Sequence, residues 1–284
     1  MIILDYNAIA IGNIVTQRLD IQEDLIRHMI LNSIRMYNKK FRDKYGQMVI
    51  ACDSSSWRKD VFPQYKFKRR EGRDESPIDW EEAFRIINGV REDLGVHFPY
   101  KVLHIDKAEA DDIIGALVLE TQEFGKDEPV MIISGDKDFI QLHKFDNVKQ
   151  FSPVQKKFVE DKHPRTYILE HIFKGDSSDG VPNVLSPDNT FVDGIRQSPV
   201  TKKKIETWTD ALAAGNLQEV MGEDIYRNYM RNKTVISLEE MPETLYQTII
   251  NTYDNIKVPM KMRVLNYLIK NRMKNLIESV EEFY

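Results

Sequence analysis

Short apolar runs rich in β-branched residues recur through the first half of the chain, at residues 2–4, 48–52, 102–105 and 130–133. Each has the length of a strand buried on both faces, so they predict four core strands. Between the first two, Leu25, Ile26, Met29, Ile30 and Ile34 recur at helical spacing, with Asp20 or Asp24 placed to cap the start. After the third, Ala110, Ile113, Ile114, Leu117 and Val118 mark another helix. This alternation predicts an α/β fold with a mainly parallel central sheet covered on both faces. Beyond about Gly180 the strand pattern gives way to helical segments at residues 202–214, 217–231, 243–253 and 260–282. A smaller helical domain is therefore expected, dividing the chain into residues 1–180 and 181–284. There is no internal repeat and no low-complexity tract.

Composition narrows the class. A chain of 284 residues with 42% apolar and 30% charged residues can bury a full core and carry a second, smaller domain. The opening Met1-Ile2-Ile3-Leu4-Asp5 lacks the basic start and long apolar centre of a secretory signal, and no apolar run reaches the ~20 residues needed to span a bilayer. A cytoplasmic location and no membrane partner are expected. The single cysteine, Cys52, lies in an apolar run and reads as a small buried hydrophobe.

A net charge of −5 argues against a polyanionic partner until its distribution is considered. Residues 57–73 carry Arg58, Lys59, Lys66, Lys68, Arg69, Arg70 and Arg73 against only Asp60 and Glu71, with Trp57, Phe62, Tyr65 and Phe67 interleaved. Residues 255–275 carry Lys257, Lys261, Arg263, Lys270, Arg272 and Lys274 and no acid. A charge run is ordinarily a solvated face, but rings alternating with cations suit stacked bases and phosphates.

The acids are more informative. Asp5 ends the first strand and Asp53 the second; Glu109, Asp111 and Asp112 follow the third; Asp136 and Asp138 follow the fourth. Any one alone would read as a helix cap or turn residue. Together they fall at the carboxyl ends of parallel strands, where open α/β sheets bind ligands. Clustered carboxylates repel one another unless a cation neutralises them, and an oxygen-only donor set selects hard Mg²⁺ or Mn²⁺. A further pair, Asp176 and Asp179 in Gly175-Asp176-Ser177-Ser178-Asp179, brings the oxygens to a number sufficient for two cations.

The ordered motifs Ile3-Leu4-Asp5, Cys52-Asp53, Glu109-Ala110-Asp111-Asp112, Ser134-Gly135-Asp136-Lys137-Asp138 and Gly175-Asp176-Ser177-Ser178-Asp179 resemble those of the 5′-nuclease (flap endonuclease) superfamily. The likeness is greatest to its phage ribonuclease H branch and runs over nearly the whole chain. It implies a PIN-like nuclease domain, a basic arch, and a C-terminal helical domain with a helix-three-turn-helix-like element. The activity it implies is 5′-to-3′ exonuclease and flap endonuclease cleavage that removes RNA primers and short DNA during replication, leaving a 5′-phosphate. Asp5, Asp53, Glu109, Asp111, Asp112 and Asp136 would surround a first Mg²⁺, and Asp138, Asp176 and Asp179 would hold a second. Residues 57–73 would form the arch, with Lys66 at the scissile phosphate and Tyr65 stacking on a base. Asp111, Asp136 and Lys66 would be catalytic. The implied partners are RNA–DNA and DNA duplexes with 5′ ends, flaps or forks, together with a single-stranded DNA-binding protein and a sliding clamp.

The sequence departs from the family after Asp179. The glycine-rich phosphate-binding turn is replaced by Gly180-Val181-Pro182-Asn183 and a longer segment, and Lys202, Lys203 and Lys204 are the alternative phosphate ligands, a solvated lysine run being the plainer reading. Two other classes compete. An aspartyl-phosphate phosphatase would need a D-x-D pair after the first strand, where Asp5-Tyr6-Asn7 stands instead. A non-catalytic nucleic-acid clamp remains open, although an inactive binder would gain affinity by losing these acids.

Overall fold

The computed structural model describes residues 1–17 and 21–284, so the proposed cap Asp20 lies outside the described residues; the side chains of Gln17, Arg70, Glu71 and Phe124 do so too. By internal packing the chain forms two compact units. One comprises Met1–Ser55, Ser76–Glu160 and Glu243–Tyr284, the other Ser56–Glu75 and Asp161–Pro242. A cut at residue 180 follows chain order, whereas the packing interleaves the chain.

The first unit is built on a six-stranded sheet of β1 (Ile2–Asp5), β2 (Met48–Cys52), β3 (Lys101–His104), β4 (Val130–Ile133), β5 (Val148–Ser152) and β6 (Lys157–Val159), in the order β3-β2-β1-β4-β5-β6. All pairings are parallel except β5 with β6. The four apolar runs are therefore strands, and two further strands extend the sheet. Ile2, Ile3, Leu4 and the whole of β4 are fully buried, as expected of central parallel strands. From β1 the chain adds β2 and β3 on one side and then β4 on the other. Strand order thus reverses between β1 and β4, opening a crevice outside their carboxyl ends.

Helix Glu23–Tyr45 buries Ile26, Ile30, Leu31, Ile34 and Phe41 at helical spacing against β1 and β4. Gln22, not an aspartate, precedes it, and Asp24 lies in its first turn, where a negative charge suits the helix dipole. A second long helix, Trp80–His97, is additional to the elements expected from the sequence. Its buried Ala83, Ile86, Ile87, Val90 and Leu94 carry the signal, and Asp79 caps it by accepting from Glu82 N. Val264, Tyr267, Leu268, Leu276 and Phe283 return to this core beside Phe98, and Tyr100 Oη donates to Phe283 O at 2.9 Å. The helical stretch at 260–282 is broken into Met262–Lys270 and Lys274–Ile277 around Arg272, whose φ is +55°.

The second unit packs helices Pro164–Lys174, Lys202–Ala214, Leu217–Met221 and Glu223–Ile236 around Phe173, Trp208 and Tyr229. Gly222, at φ +77°, splits the helix expected over 217–231.

Candidate active site

Asp5 closes β1, and its burial leaves the carboxylate dependent on protein donors. Oδ1 accepts from Ala8 N at 3.1 Å and Oδ2 from Ser134 Oγ at 2.9 Å. The next strand end contributes Asp53, whose Oδ1 accepts from Ala110 N at 2.8 Å at the start of helix Ala110–Gln122. At that helix start Glu109 and Asp112 form a capping box, each side chain taking the other's backbone N–H, with Glu109 N to Asp112 Oδ2 at 2.9 Å. Asp111 stands half-exposed in the same first turn. Past β4, exposed Asp136 accepts from Asp138 N at 3.0 Å and opens the 3₁₀ segment Lys137–Lys144.

The electrostatics follow from this crowding. Burial, and then the neighbouring Asp53, push Asp5 up to about 7; Asp136 adds to the shift, and the bonds from Ala8 and Ser134 oppose it. Carboxylates crowded in this way fit a hard divalent cation, which would favour the ionised form of Asp5. Asp112, a member of the expected ligand set, also holds the helix start. It is fully buried and its Oδ2 accepts from Glu109 N.

Two residues that position the site carry no obvious mark in the sequence. Ser134 ties β4 to Asp5, and its hydroxyl also accepts from Asp136 N at 3.2 Å. Gln150, fully buried on β5, donates from Nε2 to Ser134 O at 3.0 Å and to Asp136 O at 2.5 Å, while its Oε1 lies 3.0 Å from His143 Nε2. Gln150 stands in Val148-Lys149-Gln150-Phe151-Ser152, where no continuous apolar run sets it apart.

In the second unit Asp176 and Asp179 share a tight turn. Gly175 enters it at φ +69°, where a Cβ would lie 2.4 Å from Val181 O, so only glycine fits. Asp176 and Val181 exchange backbone hydrogen bonds of 2.9 and 2.7 Å. Burial disfavours the charge on Asp176, but His171 and the two bonds from Ser178 outweigh it and hold its carboxyl well below the usual range. Asp179 is committed to the basic segment: Tyr65 Oη donates to Oδ2 at 3.0 Å, Arg69 Nη2 to Oδ1 at 2.6 Å, and Lys66 Nζ lies 3.4 Å from Oδ2.

That pairing revises several expectations about residues 57–73. Tyr65 is buried with Phe62 beside Phe173 and Val181, so its ring belongs to a core and is not presented for base stacking. Arg58, 2% exposed, donates from Nε to Val235 O at 2.8 Å, an anchoring role that offers no phosphate contact. Lys66 has a φ of +57°, and its side chain is 11% exposed against Asp179. Lys59, Lys68, Arg69 and Arg73 are exposed. Lys202, Lys203 and Lys204 are exposed in the first turn of helix Lys202–Ala214, capped by Thr201. Cations there oppose the helix dipole, a cost that solvation or a bound anion would offset.

Comparison with known proteins agrees with this geometry. The 5′-3′ exonuclease N-terminal resolvase-like domain matches residues 6–170, and the C-terminal domain of T4 RNase H matches residues 163–283. Ribonuclease H of Enterobacteria phage T4 is 34% identical over 99% of this chain and 95% of its own length. A 5′-3′ exonuclease of Buchnera aphidicola is 32% identical over 52% of this chain and 50% of its own. The fold is that of a bacteriophage T5 flap endonuclease solved with DNA and metal ions, with a TM-score of 0.59 and 16% identity over 89% of this chain and 99% of that one. The T5 5′-exonuclease with zinc bound gives the same TM-score and identity over 90% and 98%. Acids at four successive strand ends, the reversal of strand order between β1 and β4, and the match along nearly the entire chain together place this protein in the 5′-3′ exonuclease (flap endonuclease) family.

Proposed function

We propose that this 5′-3′ exonuclease and flap endonuclease, a metal-dependent hydrolase with ribonuclease H activity, works through the acids gathered outside β1 and β4. The observation that carries the proposal is the placement of Asp5, Asp53, Glu109, Asp111 and Asp136 at or just beyond the carboxyl ends of β1 to β4, where burial and Asp53 disfavour the ionised form of Asp5. Asp5, Asp53, Glu109, Asp111 and Asp136 are the proposed ligands of Mg²⁺, with Mn²⁺ as a substitute. When bound, two such ions supply an activated water and neutralise charge on the reacting phosphate. The chain's own contribution is to hold these carboxylates in place: Ser134 and Gln150 fix the Asp136 loop, and the capping box fixes the helix that presents Asp111. No side-chain nucleophile is required, and burial pushes the Cys52 thiol up, out of reach of that role.

The acids at the strand ends of the first unit are proposed to carry the chemistry and cations of the second unit the phosphate contacts. Lys59, Lys68, Arg69, Arg73 and the Lys202–Lys203–Lys204 cluster are the proposed phosphate ligands, and Lys66 the cation that exchanges Asp179 for phosphate. The proposed substrates are RNA–DNA and DNA duplexes with 5′ ends, flaps or forks in the host-cell cytoplasm, with a single-stranded DNA-binding protein and a sliding clamp as protein partners. Among the described residues no helix is long and apolar enough to cross a membrane.

The direct test is incubation with a labelled 5′-flap and a nicked RNA–DNA duplex, with and without Mg²⁺. Short 5′-phosphorylated products that appear only with metal are expected. Binding without cleavage under both conditions would identify a clamp.

A further inference from the structure

The basic run at residues 255–275 has no role in the proposed chemistry, yet it forms a distinct face of the first unit. Helix Met262–Lys270 buries Val264, Tyr267 and Leu268 and turns Met262, Arg263, Asn266, Ile269 and Lys270 to solvent. Lys257, Lys261, Arg272 and Lys274 are exposed on the segments flanking it, and the run contains no carboxylate. A recess of about 240 Å³ opens in this face, lined by His97, Arg263, Asn266, Tyr267 and Lys270. Arg263 is held at its rim, with Nη1 donating to Val96 O at 3.1 Å. Asp93, which reaches Tyr267 from helix Trp80–His97, is neutralised by Arg27 and accepts from Tyr267 Oη at 3.0 Å.

Cations near a helix C-terminus are favoured by the dipole, which accounts for Lys270 and its followers. The same physics disfavours Lys261 and Arg263, which stand at and just inside the N-terminus of this helix with no acid in its first turn. Such an arrangement suits an external polyanion. Val96 and His97 close the helix that leads into the amino end of β3, so the face lies at the end of the sheet opposite the clustered acids. We infer that this face is a second binding surface for the sugar-phosphate backbone of duplex nucleic acid, engaging a part of the duplex away from the bond being cut. The inference rests on the proposed function for the class of polyanion. An extended duplex is favoured over a lipid surface because the nine-residue helix presents no exposed aromatic anchor.

The full chain and two variants test it: Arg263→Gln with Lys270→Gln, and those two combined with Lys257→Gln and Lys261→Gln. Binding of a labelled duplex is measured in EDTA across salt concentrations, and cleavage of a saturating 5′-flap is followed with Mg²⁺. Each phosphate left without its cation should reduce the slope of log affinity against log salt by about 0.9, so the four-site variant should lose roughly 2 to 4 and the pair about 1 to 2. The saturated cleavage rate should stay within about twofold of wild type. An unchanged slope in a chain that still cleaves overturns the inference and leaves the proposed function standing, whereas absence of cleavage by wild type would sink the function itself. Unchanged duplex binding with lost binding to phosphatidylserine vesicles would also overturn it. If the four-site variant melts below wild type, the pair alone decides the result.

Discussion

Ser134 donates its hydroxyl hydrogen to Asp5 Oδ2 across 2.9 Å, joining the carboxyl end of β4 to that of β1. This bond favours an ionised Asp5, but burial and the charge on Asp53 overcome it and push the acid up to about 7. Because the folded-state value lies above an unfolded value of about 3.9, the fold holds the proton more tightly between about pH 4 and 7. Metal-free stability should therefore fall as pH rises through that window, by up to about 4 kcal/mol at about 1.4 kcal/mol per unit. Melting in EDTA at several pH values should show this decline in wild type and a flatter profile in Asp5→Asn. Identical profiles would remove Asp5 as the source. Mg²⁺ affinity should rise over the same window, since the cation competes with that proton.

Asp111 follows β3 and Asp136 follows β4, so the two acids stand at carboxyl ends on either side of β2 and β1. Loss of the outer partners of metal ligands already costs roughly 10- to 100-fold, so Asp111→Asn and Asp136→Asn should each lower turnover by more than about 100-fold at saturating Mg²⁺. Duplex binding in EDTA should be equal or tighter, because a repulsive charge is gone. Asparagine preserves the cap that Asp136 gives to Asp138 N, so melting should show no loss of fold. Turnover above a tenth of wild type in both variants would take them out of the metal site.

Gln150 tests positioning apart from ligation. Gln150→Ala removes two donors from the carbonyls of Ser134 and Asp136 and should cost roughly 1 to 3 kcal/mol in urea unfolding. It should also raise the Mg²⁺ concentration for half-maximal cleavage by about 10-fold, since the Asp136 loop loses its tether. A stability loss with an unchanged Mg²⁺ titration would reduce Gln150 to a packing residue.

Asp179 holds Arg69 through a 2.6 Å bond and lies 3.4 Å from Lys66. Asp179→Asn should therefore release cationic character toward phosphate, strengthening duplex binding in EDTA and steepening its salt dependence by about 0.9 for each further phosphate neutralised. Lys66→Ala should lower kcat with a modest change in KM, because a cation at the scissile phosphate acts most on the transition state. A change confined to KM would show that Lys66 positions the strand only.

The alternation of short apolar runs with acids at their ends was legible in the sequence by itself, and it determined the four central strands, their parallel sense and the place of Asp5, Asp53, Asp111 and Asp136 at or after their carboxyl ends. Period and length suffice there, because a strand buried on both faces has no alternative composition. β5 is hidden from such a pattern because Gln150 and Ser152 interrupt it, and Gln150 becomes compatible with burial only once the Ser134 and Asp136 carbonyls lie beside it. The basic run at 57–73 shows the same limit. Charge spacing marks a cation as soluble, but whether Arg58 faces water or Val235 O, and whether Tyr65 meets a base or Asp179, depends on partners more than a hundred residues away. The return of Glu243–Tyr284 to the first core was equally hidden, since an amphipathic helix declares that one face must be buried and does not declare against what.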